Sequence, residues 1–248
     1  MGRKPYNESF FDGIEDGSTE SARVVVPLLF SIISVTSVVD VGCGRGAWLQ
    51  IFKEHGVKTL RGIDGDYVDR SHMLVDDSCF VAGDLTKLSQ IDGSFDLALC
   101  LEVAEHIPQR YSGSLVHALT SAAPIVLFSA AVPGQPGTRH INEQWPLFWR
   151  ELFAQRSFRM FDPFRGRLRE DNRVRWWYRQ NLVLFASEEG IARNPALQEE
   201  PEVASGAELD WVFFDVVRAH RNPKFLARNG IKRAWRRLIS GNGRPKSR

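Results

Sequence analysis

The sequence predicts an α/β protein in which helices cover both faces of a mostly parallel sheet. Strand-like and helix-like segments alternate through most of the chain, which is the pattern of consecutive βαβ units. The first buried strand runs into the glycine-rich stretch VVDVGCGRGAW, and a helical stripe follows directly. Of the 248 residues, 43% are hydrophobic and 25% are charged, as in a globular protein with a core. We therefore expect one α/β domain with additions.

The elements of the first half follow from apolar runs and their end signals. A helix is expected over ARVVVPLLFSII, capped by Ser18 and interrupted by Pro27, because proline breaks the helical hydrogen-bond pattern. The next helix, AWLQIFKEHG, carries an apolar stripe and ends at Gly56. Four buried strands are predicted: SVVDVG, VKTLRGID, CFVAGD and SFDLALCLE.

The second half continues the alternation and then becomes less regular. A helix over QRYSGSLVHALTSA, a strand over PIVLFSAAV and a helix in PLFWRELFAQRSF are predicted. A loop, residues 132–146, precedes this last helix, and two final strands are expected in RMFDPF and VRWWYRQNLVLFAS. Residues 188–209 are rich in Glu, Ala, Pro and Gly and are expected to form a mobile insert.

The sequence also bears on cellular location. No apolar run approaches the roughly 20 residues of a membrane-spanning helix, and the polar N-terminal stretch lacks the apolar core of a signal peptide. Cys43, Cys79 and Cys100 lack the spacing of a disulfide framework or of a metal site. We expect a reduced, cytoplasmic protein.

The glycine turn predicts a ligand at the carboxyl end of the first strand. Its N–H groups and the helix that follows form an electropositive cradle. Asp64 ends the second strand, 20 residues after Gly44, and is placed to accept the hydroxyls of a ribose. These features fit any adenosine-containing cofactor, and Gly42, Gly44 and Ala47 also fit the loose dinucleotide pattern.

Further acidic residues argue against a dinucleotide. Asp40 lies two residues before the first glycine, where its carboxylate would repel a pyrophosphate but could hold a cationic amino group. Asp84 ends the third strand, where an adenine amino group is expected. The fourth strand ends in LEVAEHIP, which contributes Glu102, Glu105 and His106.

These motifs, VVDVGCGRG, GID, AGDL and FDLALCLEVAEH, resemble in order and spacing those of the class I S-adenosylmethionine-dependent methyltransferases. The resemblance covers roughly residues 18–187 and is closest to the branch with an EVxEH signature, which includes many bacterial small-molecule and sugar-modifying enzymes. It implies a Rossmann-like sheet of seven strands in the order 3-2-1-4-5-7-6, with the seventh antiparallel. It also implies S-adenosyl-L-methionine as cofactor. The residues expected to bind it are Asp40, Gly42, Gly44, Gly46, Asp64, Gly65, Asp84, Leu85 and Glu102.

In this interpretation the chain has three parts. Residues 1–35 form a helical cover, residues 36–187 the cofactor-binding domain, and residues 188–248 an insert with a basic extension. No cluster of His, Asp or Glu has the spacing of metal ligands, so no metal site is predicted.

Two histidines are candidate catalytic residues. Transfer to an alcohol requires removal of its proton, and a histidine titrates in the right range. His140, in the loop TRHINEQWP, is the preferred base because this loop can reach a substrate, although it could instead cap the helix near Glu143. His106 is the second candidate, with a role in shaping the cofactor loop as the alternative. The expected acceptor-binding residues are Asn142, Glu143, Trp145, Arg175 and Trp177, unless RWWYRQN is simply a strand with one packed and one solvated face.

The favoured function is O-methylation of a small molecule, a sugar hydroxyl or a natural product. Alternatives are N-methylation of an amino sugar or another amine, a cofactor-binding partner subunit without turnover, and a nicotinamide-dependent oxidoreductase. A nucleic-acid substrate is disfavoured because the body of the chain is acidic.

The C-terminal extension is strongly basic. Residues 218–248 contain eleven Lys and Arg and no Asp or Glu, and from Ile231 the apolar residues recur with helical spacing. This pattern predicts a basic amphipathic helix that makes weak contact with an anionic membrane surface or packs on the acidic body.

Overall fold

A computed structural model describes the backbone of residues 8–204 and the side chains of residues 16–204. Seven strands form one sheet: β1 Ser37–Val41, β2 Thr59–Asp64, β3 Phe80–Ala82, β4 Leu97–Leu101, β5 Ile125–Ser129, β6 Phe158–Phe161 and β7 Val183–Ser187. They lie in the order β3-β2-β1-β4-β5-β7-β6. β7 is antiparallel to both of its neighbours, whereas β1 to β5 pair in parallel. The predicted Rossmann-like fold is confirmed.

Helices cover both faces of this sheet. The α-helices of the described chain are α1 Glu8–Phe30, α2 Ala47–Glu54, α3 Ser112–Ala122, α4 Pro146–Ala154, α5 Arg165–Leu168, α6 Trp176–Asn181 and α7 Glu188–Arg193. α1 and α2 contribute Leu29 and Phe52 to one hydrophobic core. α3 and α4 contribute Leu119 and Phe153 to a second core. Since successive side chains of a strand point to opposite faces, the inner strands supply both cores and are apolar throughout.

The N-terminal helix differs from its prediction. α1 is one continuous helix that contains Pro27, and Ser18 lies inside it rather than at its cap. Pro27 is close to the C-terminal end, and its neighbours Val26 and Leu29 are fully buried. Burial of such side chains stabilises a protein by about 1.5–3 kcal/mol each, which offsets the hydrogen bond lost at a proline. The Ser18 hydroxyl instead lies 3.0 Å from the hydroxyl of Tyr178.

The prediction that RWWYRQN belongs to the last strand is wrong. Trp176–Asn181 form α6, and only Val183–Ser187 form β7. Tyr178 and Asn181, nearly one helical turn apart, are both buried. A short alternation of aromatic and basic residues fits a strand or a helix, and here the packing of Tyr178 and Asn181 selects the helix.

Residues 188–204 form defined structure rather than the predicted mobile insert. Ser187 caps α7 by accepting a hydrogen bond from the Gly190 N–H over 3.2 Å. The Val203 N–H donates to the Met160 carbonyl over 2.9 Å, which attaches the end of this segment to β6. The predicted basic amphipathic helix lies outside the described residues. Within residues 8–204, no helix combines the length and the apolar character that crossing a bilayer requires.

Candidate active site

A cavity of about 990 Å³ opens beyond the carboxyl ends of β1, β2 and β4. Ligands of open α/β sheets bind at this edge, and the volume suits a small molecule. Its wall combines the glycine turn, the strand ends and the loop after β5. The residues of the sequence prediction that line it are Asp40, Gly42, Gly44, Asp64, Gly65, Asp84, Leu85, Glu102, His106, His140 and Trp177.

The glycine turn holds the main chain against the cavity. Gly42 has a φ of 82°, and a Cβ at this position would lie 2.2 Å from the side chain of Val103. Only glycine therefore fits between β1 and the segment after β4. The Gly44 N–H donates a hydrogen bond to Asp64 over 2.8 Å, which closes the turn. Gly46 is the N-cap residue of α2 and is not part of the cavity lining.

The acids at the ends of β2 and β3 already make local hydrogen bonds. Asp64 Oδ1 accepts from the Gly65 N–H over 2.6 Å and from the Tyr67 hydroxyl over 2.5 Å. Asp84 accepts from the N–H and the hydroxyl of Thr86 over 3.0 and 2.6 Å. A carboxylate has about four acceptor positions, so both can still accept bonds from a ligand. Tyr67 is a cavity residue that the sequence interpretation missed.

Among the acids near the glycine turn, Asp40 is the one whose pKa burial shifts most clearly. Its side chain is 3% exposed although it lines the cavity. Burial, and secondly the charge of Asp64, raise the pKa of Asp40 to about 7. A cationic group in the cavity would favour the ionised form, as expected for the carboxylate that holds an amino group.

Two amides fix Glu102 at the end of β4. Its carboxylate accepts hydrogen bonds from the side chains of Gln135 and Asn181 over 2.8 and 2.9 Å, and the same Asn181 nitrogen donates to Gln135 over 2.8 Å. Burial raises the pKa of Glu102 despite these bonds. Gln135 and Asn181 were not predicted as site residues, because the three side chains are far apart in sequence. One usable signal was an amide directly before an apolar run, as Asn181 is.

The loop after β5 brings a second histidine to the first. The Glu105 carbonyl accepts hydrogen bonds from the N–H groups of Ile141 and Asn142 over 2.9 and 3.0 Å. These two bonds hold His140 beside His106, and the ring centroids are 5.2 Å apart in an edge-on arrangement. The structure therefore brings together the two histidines that the sequence singled out.

The carboxylate of Glu105 joins these histidines. One ligand atom from each of Glu105, His106 and His140 lies within 4.8 Å of the others. Residue spacing did not indicate this cluster, because His140 comes from a loop more than 30 residues after Glu105 and His106. Burial and the proximity of His140 lower the pKa of His106 to about 4, so this ring is neutral at physiological pH. Burial and the charge of Glu102 raise the pKa of Glu105 well above its usual range.

Four of the predicted acceptor-binding residues are not among those that line the cavity: Asn142, Glu143, Trp145 and Arg175. Asn142 is buried and donates to the Ala104 carbonyl over 3.3 Å, so it anchors the loop. Glu143 faces His140 over 3.1 Å, and Trp145 is 52% exposed. The Arg175 N–H donates to Ser21 of α1 over 3.0 Å. The helical form of α6 turns Arg175 toward α1 and leaves Trp177 at the cavity.

Two solved structures that are similar to this chain are described as methyltransferases. An O-methyltransferase family protein from Burkholderia thailandensis aligns with a TM-score of 0.54 and 11% identity, over 73% of this chain and 60% of the other. The magnesium protoporphyrin IX methyltransferase of Synechocystis PCC 6803 was solved with bound S-adenosylhomocysteine. It aligns with a TM-score of 0.51 and 16% identity, over 75% of this chain and 90% of that enzyme. At sequence identities this low, the structural similarity establishes the fold alone.

The family profile described as "Methyltransferase domain" matches residues 15–181, and the chain belongs to this family. Norajmaline N-methyltransferase from Rauvolfia serpentina is 27% identical over 106 residues, which are 38% of this chain and 36% of that enzyme. The chain thus spans about a third of that relative and 60% of the Burkholderia protein. The glycine turn, Asp40 and Asp64 line the cavity as the sequence predicts for S-adenosyl-L-methionine.

Proposed function

We propose that the protein transfers the methyl group of S-adenosyl-L-methionine to a hydroxyl group of a small molecule, such as a sugar or a natural product. The observation that supports this most is that one cavity is lined by the glycine turn with its acids and by His106 and His140. A cofactor and an acceptor bound there would be neighbours. Methyl transfer is an in-line displacement, so the main task of the cavity is to align the acceptor oxygen with the methyl group.

The acceptor proton is proposed to leave at the histidine pair. His140 Nδ1 lies 3.1 Å from Glu143, and since a carboxylate only accepts, this nitrogen carries the hydrogen. Nε2 is then free to accept a proton. General bases of this kind contribute about 10²–10⁴-fold to a rate.

The acceptor is proposed to be small and uncharged. Residues 1–217 contain 21 Lys and Arg and 30 Asp and Glu, which disfavours a polyanion such as a nucleic acid. An amine is the second candidate acceptor, because Glu102 and Glu105 both line the cavity and would attract a cation. The partial similarity to an N-methyltransferase agrees with that alternative.

The test is methylation of a mixed panel of sugars, phenolic natural products and amines by the full-length protein, read as the transfer of labelled methyl groups. We expect transfer to hydroxyl acceptors, and His140→Ala should lower the turnover rate by about 10²–10⁴-fold. The affinity for S-adenosylhomocysteine should stay unchanged in this variant. Asp64→Ala should instead lose that affinity, since hydrogen bonds to a charged group are worth about 1.5–3 kcal/mol each.

His117→Ala is the matched control, because His117 is an exposed histidine on α3, away from the cavity. Transfer only to amines would replace the O-methylation proposal with N-methylation. Binding of S-adenosylhomocysteine without any turnover across the panel would favour a cofactor-binding partner subunit.

A further inference from the structure

We propose that Glu105, His106 and His140 form a binding site for a divalent transition-metal ion. One ligand atom from each side chain lies within 4.8 Å of the other two. The centre of a triangle of that size is at most about 2.8 Å from each corner, and bonds from zinc to nitrogen or oxygen are about 2.0–2.2 Å long. Small rotations of the three side chains would therefore close the site around an ion.

Each imidazole ring has a hydrogen-bond acceptor near its Nδ1 atom. His106 Nδ1 lies 3.4 Å from the Arg139 carbonyl, and His140 Nδ1 lies 3.1 Å from the Glu143 carboxylate. Because these partners are acceptors, Nδ1 is assigned the hydrogen in each ring, and Nε2 keeps its lone pair. Metal-binding histidines typically donate their second N–H to a carbonyl or a carboxylate in this way.

The carboxylate of Glu105 supplies independent evidence for a cationic ligand. The residue is 1% exposed, and its Oε2 atom has no hydrogen-bond partner among the described residues. A buried carboxylate oxygen without a partner is costly, and such atoms are rare in folded proteins. Glu102 and Glu143 are close enough to add to the negative potential at Glu105. A bound cation would satisfy this atom and balance these charges.

The ligand set indicates the kind of ion. Two imidazoles and one carboxylate suit Zn²⁺, Co²⁺, Ni²⁺ or Mn²⁺, whereas Mg²⁺ and Ca²⁺ prefer oxygen ligands. Three protein ligands leave coordination positions open for water or for a hydroxyl oxygen of the acceptor. With an ion bound, both imidazoles would hold the ion and His140 would not act as the base. The ion would acidify a bound hydroxyl, whose proton would pass to water. Only this last role rests on the proposed function.

Titration of the chelator-treated, full-length protein with Co²⁺ tests the site, because ligand-field absorption reports coordination by nitrogen and oxygen. We expect one ion per chain in this site, displaced by Zn²⁺ and not by an excess of Mg²⁺. Glu105→Gln and His106→Ala should each weaken Co²⁺ binding by at least about 100-fold. Glu143→Gln, which alters the partner of His140 and removes one negative charge near Glu105, should weaken it by about 10-fold. The control His117→Ala should bind like the wild type.

The melting temperature and S-adenosylhomocysteine binding of each metal-free variant show whether it is folded. Unchanged Co²⁺ affinity in folded Glu105→Gln and His106→Ala would place the ion elsewhere and overturn the proposal, as would the absence of Co²⁺ binding to the wild type. Failure of the metal-free wild type to bind S-adenosylhomocysteine would count against the proposed function and leave the metal site standing.

Discussion

Glu102 shows how a single residue shapes the cavity wall. Its φ of 57° lies in the left-handed region, which costs a non-glycine residue about 1–3 kcal/mol. The Glu102 N–H donates to the Ser129 carbonyl over 2.9 Å, and Gln135 and Asn181 hold its carboxylate. Main-chain and side-chain bonds together thus fix this unusual conformation, so the carboxylate has a defined place at the end of β4.

Asp40 gives the folded protein a pH-dependent stability. Its pKa is about 7 in the folded protein and near 3.8 in the unfolded chain, so the folded state binds the proton more tightly. The stabilisation is complete below about pH 4 and is lost as the pH rises through about 7. We expect the free energy of unfolding to fall by up to about 4 kcal/mol across this interval from Asp40 alone.

Urea unfolding of the cofactor-free protein at several pH values measures this dependence. Asp40→Asn cannot ionise, so its free energy of unfolding should fall less with rising pH than that of the wild type. Asp92→Asn, at an exposed aspartate, is the control and should keep the wild-type dependence. Identical pH dependence in the wild type and Asp40→Asn would contradict the assignment.

At the scale of elements, α1 is part of the site as well as a cover for the sheet. Ser18 of α1 lines the cavity. Its hydroxyl contacts the Tyr178 hydroxyl over 3.0 Å, and Trp48 of α2 donates to the same hydroxyl over 3.3 Å. Tyr178 therefore joins α1, α2 and α6 through one buried oxygen. Displacement of α1 would expose the cavity at this side.

Two helical glycines predict opposite effects of the same substitution. A Cβ on Gly113 in α3 would meet nothing within 4 Å, whereas on Gly190 in α7 it would lie 2.6 Å from the Pro124 carbonyl oxygen. Gly113→Ala should raise the free energy of unfolding by about 0.5–1 kcal/mol, because alanine favours the helix. Gly190→Ala should lower it by about 1–3 kcal/mol through overpacking. Thermal unfolding measures both, and a stabilising Gly190→Ala would show that α7 does not pack on this carbonyl.

For the molecule as a whole, local patterns were enough to predict the inner strands, which are continuous apolar runs. β1 and β2 end at a glycine turn and at Asp64, so the edge that carries the cavity also followed from residue patterns, whereas the strand order followed from the family resemblance. The cluster of Glu105 and His140 did not follow. It depends on hydrogen bonds from Ile141 and Asn142 to a carbonyl more than 30 residues earlier. Contacts between residues so far apart in sequence produce no periodic residue pattern.

α6 and α7 show a different reason for failure. Both are short, 6 residues each, and helices of this length have little intrinsic stability in water. Their conformations depend on burial of Tyr178 and on the Ser187 cap, which residue patterns alone do not predict.

The basic extension predicts a property of the whole protein. Residues 218–248 carry eleven Lys and Arg, and each basic residue near an anionic membrane contributes about 1 kcal/mol of attraction. We expect the full-length protein to sediment with phosphatidylserine-containing vesicles at low salt and to be released at high salt. Truncation after Asn222 should abolish this binding. Equal binding to uncharged vesicles, or none to anionic ones, would contradict the prediction.

The attachment of the loop after β5 has a consequence for how acceptor preference can change. Ile141 and Asn142 bond to the Glu105 carbonyl, so the chain around His140 cannot vary without disturbing the end of β4. Pro136, Gly137 and Thr138 line the same cavity just before this attachment. Diversification of a library at Pro136 and Thr138 would therefore sample new cavity shapes, while the anchored half of the loop keeps His140 in place. Gly137 should stay unchanged, because a Cβ there would lie 1.9 Å from His140 Nε2.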